Sequence, residues 1–178
     1  MSYCCVVDGS KGMRDVTISL KWSELKYDIE NGGYVEGELV DKEAEHVKHL
    51  IQDMFQEGNM DRVARILNLG YAECVEMLYG FTKEELEEDG YMSSNRLDTE
   101  RDFIFDLSVP STFSVTTADL LGKLLHEYLV CRAMEDWLSI VYPDVSVKWR
   151  DKLENTKRDI RRLLSHRMKR VRKKLRPF

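Results

Sequence analysis

Two histidines come nearest in this sequence to a metal-binding pattern. His46 and His49 are three residues apart, a spacing that places two imidazoles on one helix face, and Glu43 and Glu45 stand nearby. A zinc site needs three or four ligands, and the sequence offers neither the HExxH spacing nor an evident third ligand. A solvated helix edge is the simpler interpretation, so we predict no metal.

Other residues that could catalyse a reaction stand alone. His126 lies among apolar residues, where a single imidazole is more often a hydrogen-bonded core residue than a ligand. Residues 8–12 contain glycines and a lysine but lack the spacing of a phosphate-binding loop, and no nucleophile elbow is present. The acidic run over 84–89 is typical of a solvated surface. We therefore predict a protein that is not an enzyme and has no cofactor.

The four cysteines do not form a disulfide framework. Cys4 and Cys5 are adjacent, whereas Cys74 and Cys131 fall at apolar positions of predicted helices. Buried thiols in a reducing compartment are the simpler interpretation of this scatter.

Residues 63–78 resemble a helix-turn-helix in the spacing of their small, turn-forming and apolar residues. The candidate recognition helix offers Glu73 and Glu76, which would face DNA phosphates at a cost. It has no arginine, lysine, asparagine or glutamine to read base edges. A DNA-binding regulator that uses residues 61–79 is therefore kept as the alternative hypothesis, beside two short helices packed for structural reasons.

Charge divides this chain into an acidic body and a basic end. Among its 178 residues the net charge is -5, but the residues from Lys152 onward include twelve basic and two acidic ones, a net of +10. The preceding residues therefore carry -15. This asymmetry favours head-to-tail contact between copies or contact with an acidic partner. No uncharged run reaches the roughly 18 residues of a membrane span, and no secretory signal is recognisable.

Two long helices are predicted over 117–141 and 144–165, joined by a tight corner at the intervening residues. The first is apolar around much of its circumference, which predicts burial on several sides. Apolar residues of the second recur at steps of three and four, so they share one helix face. This face, which we call the seam, consists of Trp149, Leu153, Thr156, Ile160, Leu163 and Leu164.

The last residues, 166–178, form what we call the basic arm. The arm carries seven lysine or arginine residues, yet Met168, Val171 and Leu175 continue the seam in register. We interpret it as an amphipathic helical extension that docks on another molecule. Neutralisation of nucleic-acid phosphates and simple solvation remain open. The candidate partner-binding residues are Arg167, Met168, Lys169, Arg170, Val171, Arg172, Lys173, Lys174, Leu175, Arg176 and Phe178.

Shorter elements are predicted before the long helices. Residues 3–7 and 16–22 fit a hairpin, but 19–31 also fit a helix closed by Asn31 and two glycines, and we predict that helix. A strand or extended segment is expected over 103–109. The predicted fold class is mainly α: a helical bundle with two long C-terminal helices and a minor β element near the N-terminus or at 103–109.

Three further helices are predicted between these segments. One runs from its N-cap Asp41 to Gly58, a second from Asn59 or Asp61 to Gly70, and a third over 72–79. A capping box at 82–85 is expected to open one or two more turns, and a polar loop is expected over 87–102.

Several segments of the chain carry a family resemblance: residues 22–31, 34–37, 68–79, 126–130 and 136–138, and the terminal Arg-Pro-Phe. They resemble head-to-tail connector proteins, also called neck or ring-adaptor proteins, from phages of Bacteroides-type gut bacteria. The resemblance consists of short sequence segments spread over most of the chain.

This resemblance implies a structural virion protein assembled in the bacterial host cytoplasm. It implies a homo-oligomeric ring whose partners are copies of the chain, the portal, the tail or further neck proteins, with non-specific contact to packaged DNA and no membrane. In such families a helical bundle forms the subunit and terminal arms reach adjacent subunits. The implied division is a helical domain over 1–165 and the arm over 166–178.

Overall fold

A computed structural model of the chain describes residues 3–8, 13–40, 45–81, 101–110 and 113–166. Helices dominate this part, with one small sheet. The elements are β1 (Tyr3–Asp8), β2 (Met13–Leu20), α1 (Trp22–Glu38), α2 (Glu45–Gln52), a 3₁₀ turn (Asp53–Phe55), α3 (Met60–Met77), a 3₁₀ turn (Tyr79–Phe81), β3 (Phe103–Pro110), α4 (Val115–Val141) and α5 (Pro143–His166).

Helix α4 is the centre of the fold. It packs against α1, α2, α3, α5 and the sheet, and its buried residues lie on more than one side. Burial on several sides is thus confirmed for the helix predicted over 117–141. The helix begins two residues before the predicted start, at Val115, because the Ser114 side chain accepts the hydrogen bond of the Thr117 N–H and caps it.

Helix α5 folds back on α4 after one intervening residue, Tyr142. Pro143 occupies its first position, where the missing N–H costs nothing. The seam meets α4, since Leu153, Ile160 and Leu164 are buried. The two long C-terminal helices are therefore confirmed.

The strands form an antiparallel sheet in the order β1-β2-β3. Burial alternates along β2 and β3, so one face of both strands packs into the core. Both places proposed for a β element contain one. The helix predicted to start at residue 19 is wrong at its beginning, because Ser19 and Leu20 pair with β3. The side chain of Asp102 then accepts from the Trp22 N–H, 2.9 Å away, where α1 begins.

Helix α1 does not end at Asn31 and its two glycines; it continues to Glu38. The glycines serve close packing instead. A Cβ at Gly33 would lie 3.2 Å from the carbonyl oxygen of Ile51, so the missing side chain lets α2 approach the α1 backbone. A glycine of this kind cannot be distinguished from a helix stop by local sequence.

Helix α3 runs unbroken where two helices were predicted. Gly70, the expected stop, is buried in its middle, where a Cβ would lie 3.0 Å from Leu129 Cδ2 of α4. The prediction of separate helices on either side of Gly70 is therefore wrong, and with it the helix-turn-helix over 61–79.

Helix α2 ends at Gln52, with a 3₁₀ turn before Gly58. The capping box at 82–85, the expected start at Asp41 and most of the 87–102 loop lie outside the described residues.

Candidate functional site

The predicted partner-binding residues, 167–178, lie outside the described residues. The last turns of α5 form the base of the arm. Ile160 and Leu164 are buried on the face that packs on α4. Arg158, Arg161 and Arg162 are exposed, with Arg162 3.1 Å from Asp159. The base of the arm is thus amphipathic, with its apolar side occupied by the chain itself.

The surface that α4 offers to this apolar side ends close to residue 166. Helix α4 has 27 residues and α5 has 24, about 40 Å and 36 Å at the usual rise per residue. Because α5 folds back from the C-terminal end of α4, its last turn lies close to the first turn of α4. Val115 and Leu120, near the start of α4, are 57% and 46% exposed. This end of the hairpin therefore presents apolar side chains to solvent.

A charged groove runs between α3 and α5 over α4. The Tyr128 hydroxyl donates to Glu73 at 2.6 Å, Arg132 Nη1 lies 3.0 Å from Glu135, and Arg150 reaches the same carboxylate at 3.2 Å. Burial, and then the hydrogen bond to Glu73, raises the pKa of Tyr128. These groups line a cavity of about 240 Å³. Each arginine meets a glutamate, so this network ties three helices together rather than offering net charge to a ligand.

A second polar contact joins α1 to α5. Lys148 Nζ lies 2.6 Å from one oxygen of the Glu36 carboxylate, and the Trp149 indole N–H donates to it at 3.0 Å. The Glu36 side chain is only 6% exposed. No local pattern marks Glu36 as buried, because its partners are more than a hundred residues away.

The histidines are placed as structural or solvated residues. His126 Nε2 lies 2.7 Å from the Asp28 carboxylate, while its Nδ1 is buried without a partner in the described part of the chain. The contact joins α4 to α1, as expected for a structural histidine. His46 and His49 are exposed, and no group of three metal-binding side chains occurs among the described residues.

Two cysteines are buried as predicted. Burial raises the pKa of Cys131 to about 12, and burial also raises that of Cys74. The thiol is therefore the stable form in the folded state, and its contribution to stability is complete below the ordinary pKa of 9.0. That contribution is lost as pH rises from there toward 12.

We expect Cys74 and Cys131 to resist iodoacetamide at pH 8 in the folded protein, because reaction requires an accessible thiolate. Both should be alkylated in guanidinium chloride. Peptide mass spectrometry before and after unfolding measures this, and rapid labelling of either residue in the native protein would contradict it.

No protein-family model, curated protein or solved structure matches this chain significantly. Within the described residues, every helix is too short or too polar to cross a membrane.

Proposed function

We propose that this protein is a structural virion component: a head-to-tail connector, or neck, subunit that joins portal and tail within a homo-oligomeric ring. The observation that carries the proposal is that the apolar spacing of the seam continues beyond the α4 surface on which the seam packs. The seam is buried on α4 up to Leu164, which lies near the first turn of α4. The sequence nevertheless repeats the apolar spacing at Met168, Val171 and Leu175.

Van der Waals contact and apolar burial supply the affinity in this proposal, and charge supplies the orientation. Helical spacing of Met168, Val171 and Leu175 would align them in an apolar ridge, and burial of such a ridge in an apolar groove favours association. The surrounding positive charge of the arm complements the acidic remainder of a neighbouring copy, which steers encounter and fixes register. Portal, tail or further neck proteins, and non-specifically packaged DNA, are the other contacts that fit this role.

The DNA-binding regulator hypothesis required a helix-turn-helix over 61–79. Residues 60–77 instead form one helix without a turn. Nothing among the described residues favours a second function over assembly. Contact of the arm with DNA phosphates remains compatible with a connector, since packaged DNA passes through such rings.

The test replaces Val171 with aspartate in the full chain and measures mass by size-exclusion chromatography with light scattering. A carboxylate in a buried apolar contact should weaken each interface by roughly 2–3 kcal/mol, about a 100-fold loss of association. We expect the parent chain to assemble at tens of micromolar and Val171→Asp to shift to the monomer.

The matched control is Arg172→Gln, which lowers the net charge by one unit, as Val171→Asp does, but leaves the apolar spacing intact. It should assemble nearly as the parent does. A monomeric parent chain, or equal loss in both variants, would contradict the proposal. Sequence-dependent retardation of short duplex DNA by a monomer or dimer would favour the regulator instead.

A further inference from the structure

A cleft between α1 and the end of α2, with the 3₁₀ turn that follows it, lies away from the base of the arm. It has a volume of about 470 Å³ and combines three aromatic rings, three amides and one carboxylate. Its lining residues are Tyr27, Glu30, Asn31, Tyr34, Gln52, Phe55 and Gln56. Neither the connector hypothesis nor the charged groove uses these residues.

The walls of the cleft are held in place by the fold. The missing side chain of Gly33 lets the Ile51 backbone approach α1, and Ile51 itself is fully buried. The Trp137 indole N–H donates to the Leu50 carbonyl at 3.2 Å, which fixes α2 to α4. The cleft is therefore formed before any ligand arrives, which lowers the entropic cost of binding.

Two tyrosines stand at the rim with most of their surface in water. Tyr27 is 68% exposed and Tyr34 57%, while Phe55 is partly buried below them. Small-molecule sites normally enclose most of the ligand surface, and walls this exposed cannot do so. The shape favours an elongated ligand that lies across the rings.

The spacing of the tyrosines fits one kind of elongated ligand. They are seven positions apart, which is two helical turns or about 10.5 Å on one face of α1. A polyproline II helix repeats every three residues, about 9.3 Å, and leaves its carbonyls without internal hydrogen bonds. Asn31, between the tyrosines, and Gln56, on the opposite wall, supply amide N–H groups for such carbonyls.

The charge at the rim indicates what flanks the ligand. Glu30 is exposed and its nearest described cation, Lys26, is 3.8 Å away, beyond hydrogen-bond distance. Lys26 also lies over the Phe55 ring, with its Nζ 5.5 Å from the ring centroid. A basic residue of a ligand would complement Glu30 better than Lys26 does.

We propose that the cleft between α1 and α2 binds a proline-rich segment of a partner protein, flanked by arginine or lysine. The tyrosines flank prolines three residues apart, the amides hold the backbone carbonyls, and Glu30 meets the basic flank. The cleft does not include residues of the basic arm, so a failure to bind proline-rich peptide would leave the connector proposal unaffected.

The test titrates an oligoproline peptide with one terminal arginine into the full chain and follows binding by isothermal titration calorimetry. The comparison peptide has the same length and charge but alternates glycine and serine. We expect saturable binding of the oligoproline alone. Tyr34→Ala should weaken it about tenfold, as for an aromatic contact at the centre of an interface.

Matched variants separate the cleft from general effects. Tyr79→Ala removes another exposed tyrosine, outside the cleft, and should leave the affinity unchanged. Tyr34→Phe should retain most of the affinity, because the ring and not the hydroxyl makes the contact. Glu30→Gln should reduce the affinity for the arginine-bearing peptide at low salt more than for an uncharged oligoproline.

Three results would overturn the proposal. The first is no binding of oligoproline up to millimolar concentration. The second is binding of a neutral maltooligosaccharide in its place with the same dependence on Tyr34, which would assign the cleft to carbohydrate. The third is conversion of an oligomer to a monomer by Tyr34→Ala, which would assign the cleft to a second copy of the chain.

Discussion

Replacing Leu129 by alanine is expected to lower the free energy of unfolding by about 2–5 kcal/mol. The Leu129 side chain is fully buried in α4 and its Cδ2 faces Gly70 of α3. Because Gly70 has no side chain to move into the space, the change leaves a cavity between two long helices. Urea unfolding followed by circular dichroism measures the loss, and Leu120→Ala, at a position 46% exposed, is the matched control. A loss below about 1 kcal/mol would show that this contact is not part of the core.

The same contact predicts that the effect of Gly70→Ala on the free energy of unfolding depends on the side chain at residue 129. In the parent chain a Cβ at Gly70 would lie 3.0 Å from Leu129 Cδ2, so Gly70→Ala gains helix propensity but crowds its neighbour. In the Leu129→Ala background the crowding is gone, and Gly70→Ala should then stabilise by up to about 1 kcal/mol. A double-mutant cycle by urea unfolding should therefore show coupling. Simple additivity would mean that the two helices do not meet at this point.

Replacing Lys148 by methionine is expected to cost about 2–3 kcal/mol of stability at neutral pH. The change leaves the buried Glu36 carboxylate with the Trp149 indole and without its cation. The Lys148 side chain is 54% exposed, so water retains some access and the loss falls below that of a fully buried pair. Thermal and urea unfolding both report it.

Two further variants test whether the cost arises from the unpaired carboxylate. Lys123→Met removes a cation from the exposed pair with Asp119 and should change stability by less than about 0.5 kcal/mol. Adding Glu36→Gln to Lys148→Met should recover much of the loss, because a neutral amide still accepts from Trp149. Equal losses in the single and double variants would rule out an unpaired charge as the cause.

Elements defined by local periodicity were predicted well. Helix α4 is apolar on several sides and α5 repeats its apolar residues at steps of three and four, so both were found within about two residues of their ends. A strand or an extended segment was expected over 103–109, and the structure has β3 there, with the alternating burial of a strand. In each case the pattern is written in consecutive residues and does not depend on a distant partner.

Glycines were the main source of error. Local sequence predicts helix stops at Gly33 and Gly70, but both lie inside helices, where another backbone or side chain approaches closely. The boundary of β2 failed for a related reason, because Ser19 and Leu20 are strand residues through pairing with β3, more than eighty residues away. The local sequence around a glycine that ends a helix is the same as that around a glycine inside a helix that lets another helix pack closely.

The sequence by itself determined the helical hairpin, the buried thiols, the division of charge and the basic arm with its continued apolar spacing. Only the tertiary structure decided that α3 is unbroken, that the first turn of α4 lies near the base of the arm, that Glu36 is buried against Lys148, and that Tyr27 and Tyr34 border a cleft. The physical reason is range: amphipathic spacing is a property of neighbours in the chain, whereas close approach, ion pairing and clefts arise between residues that only folding brings together.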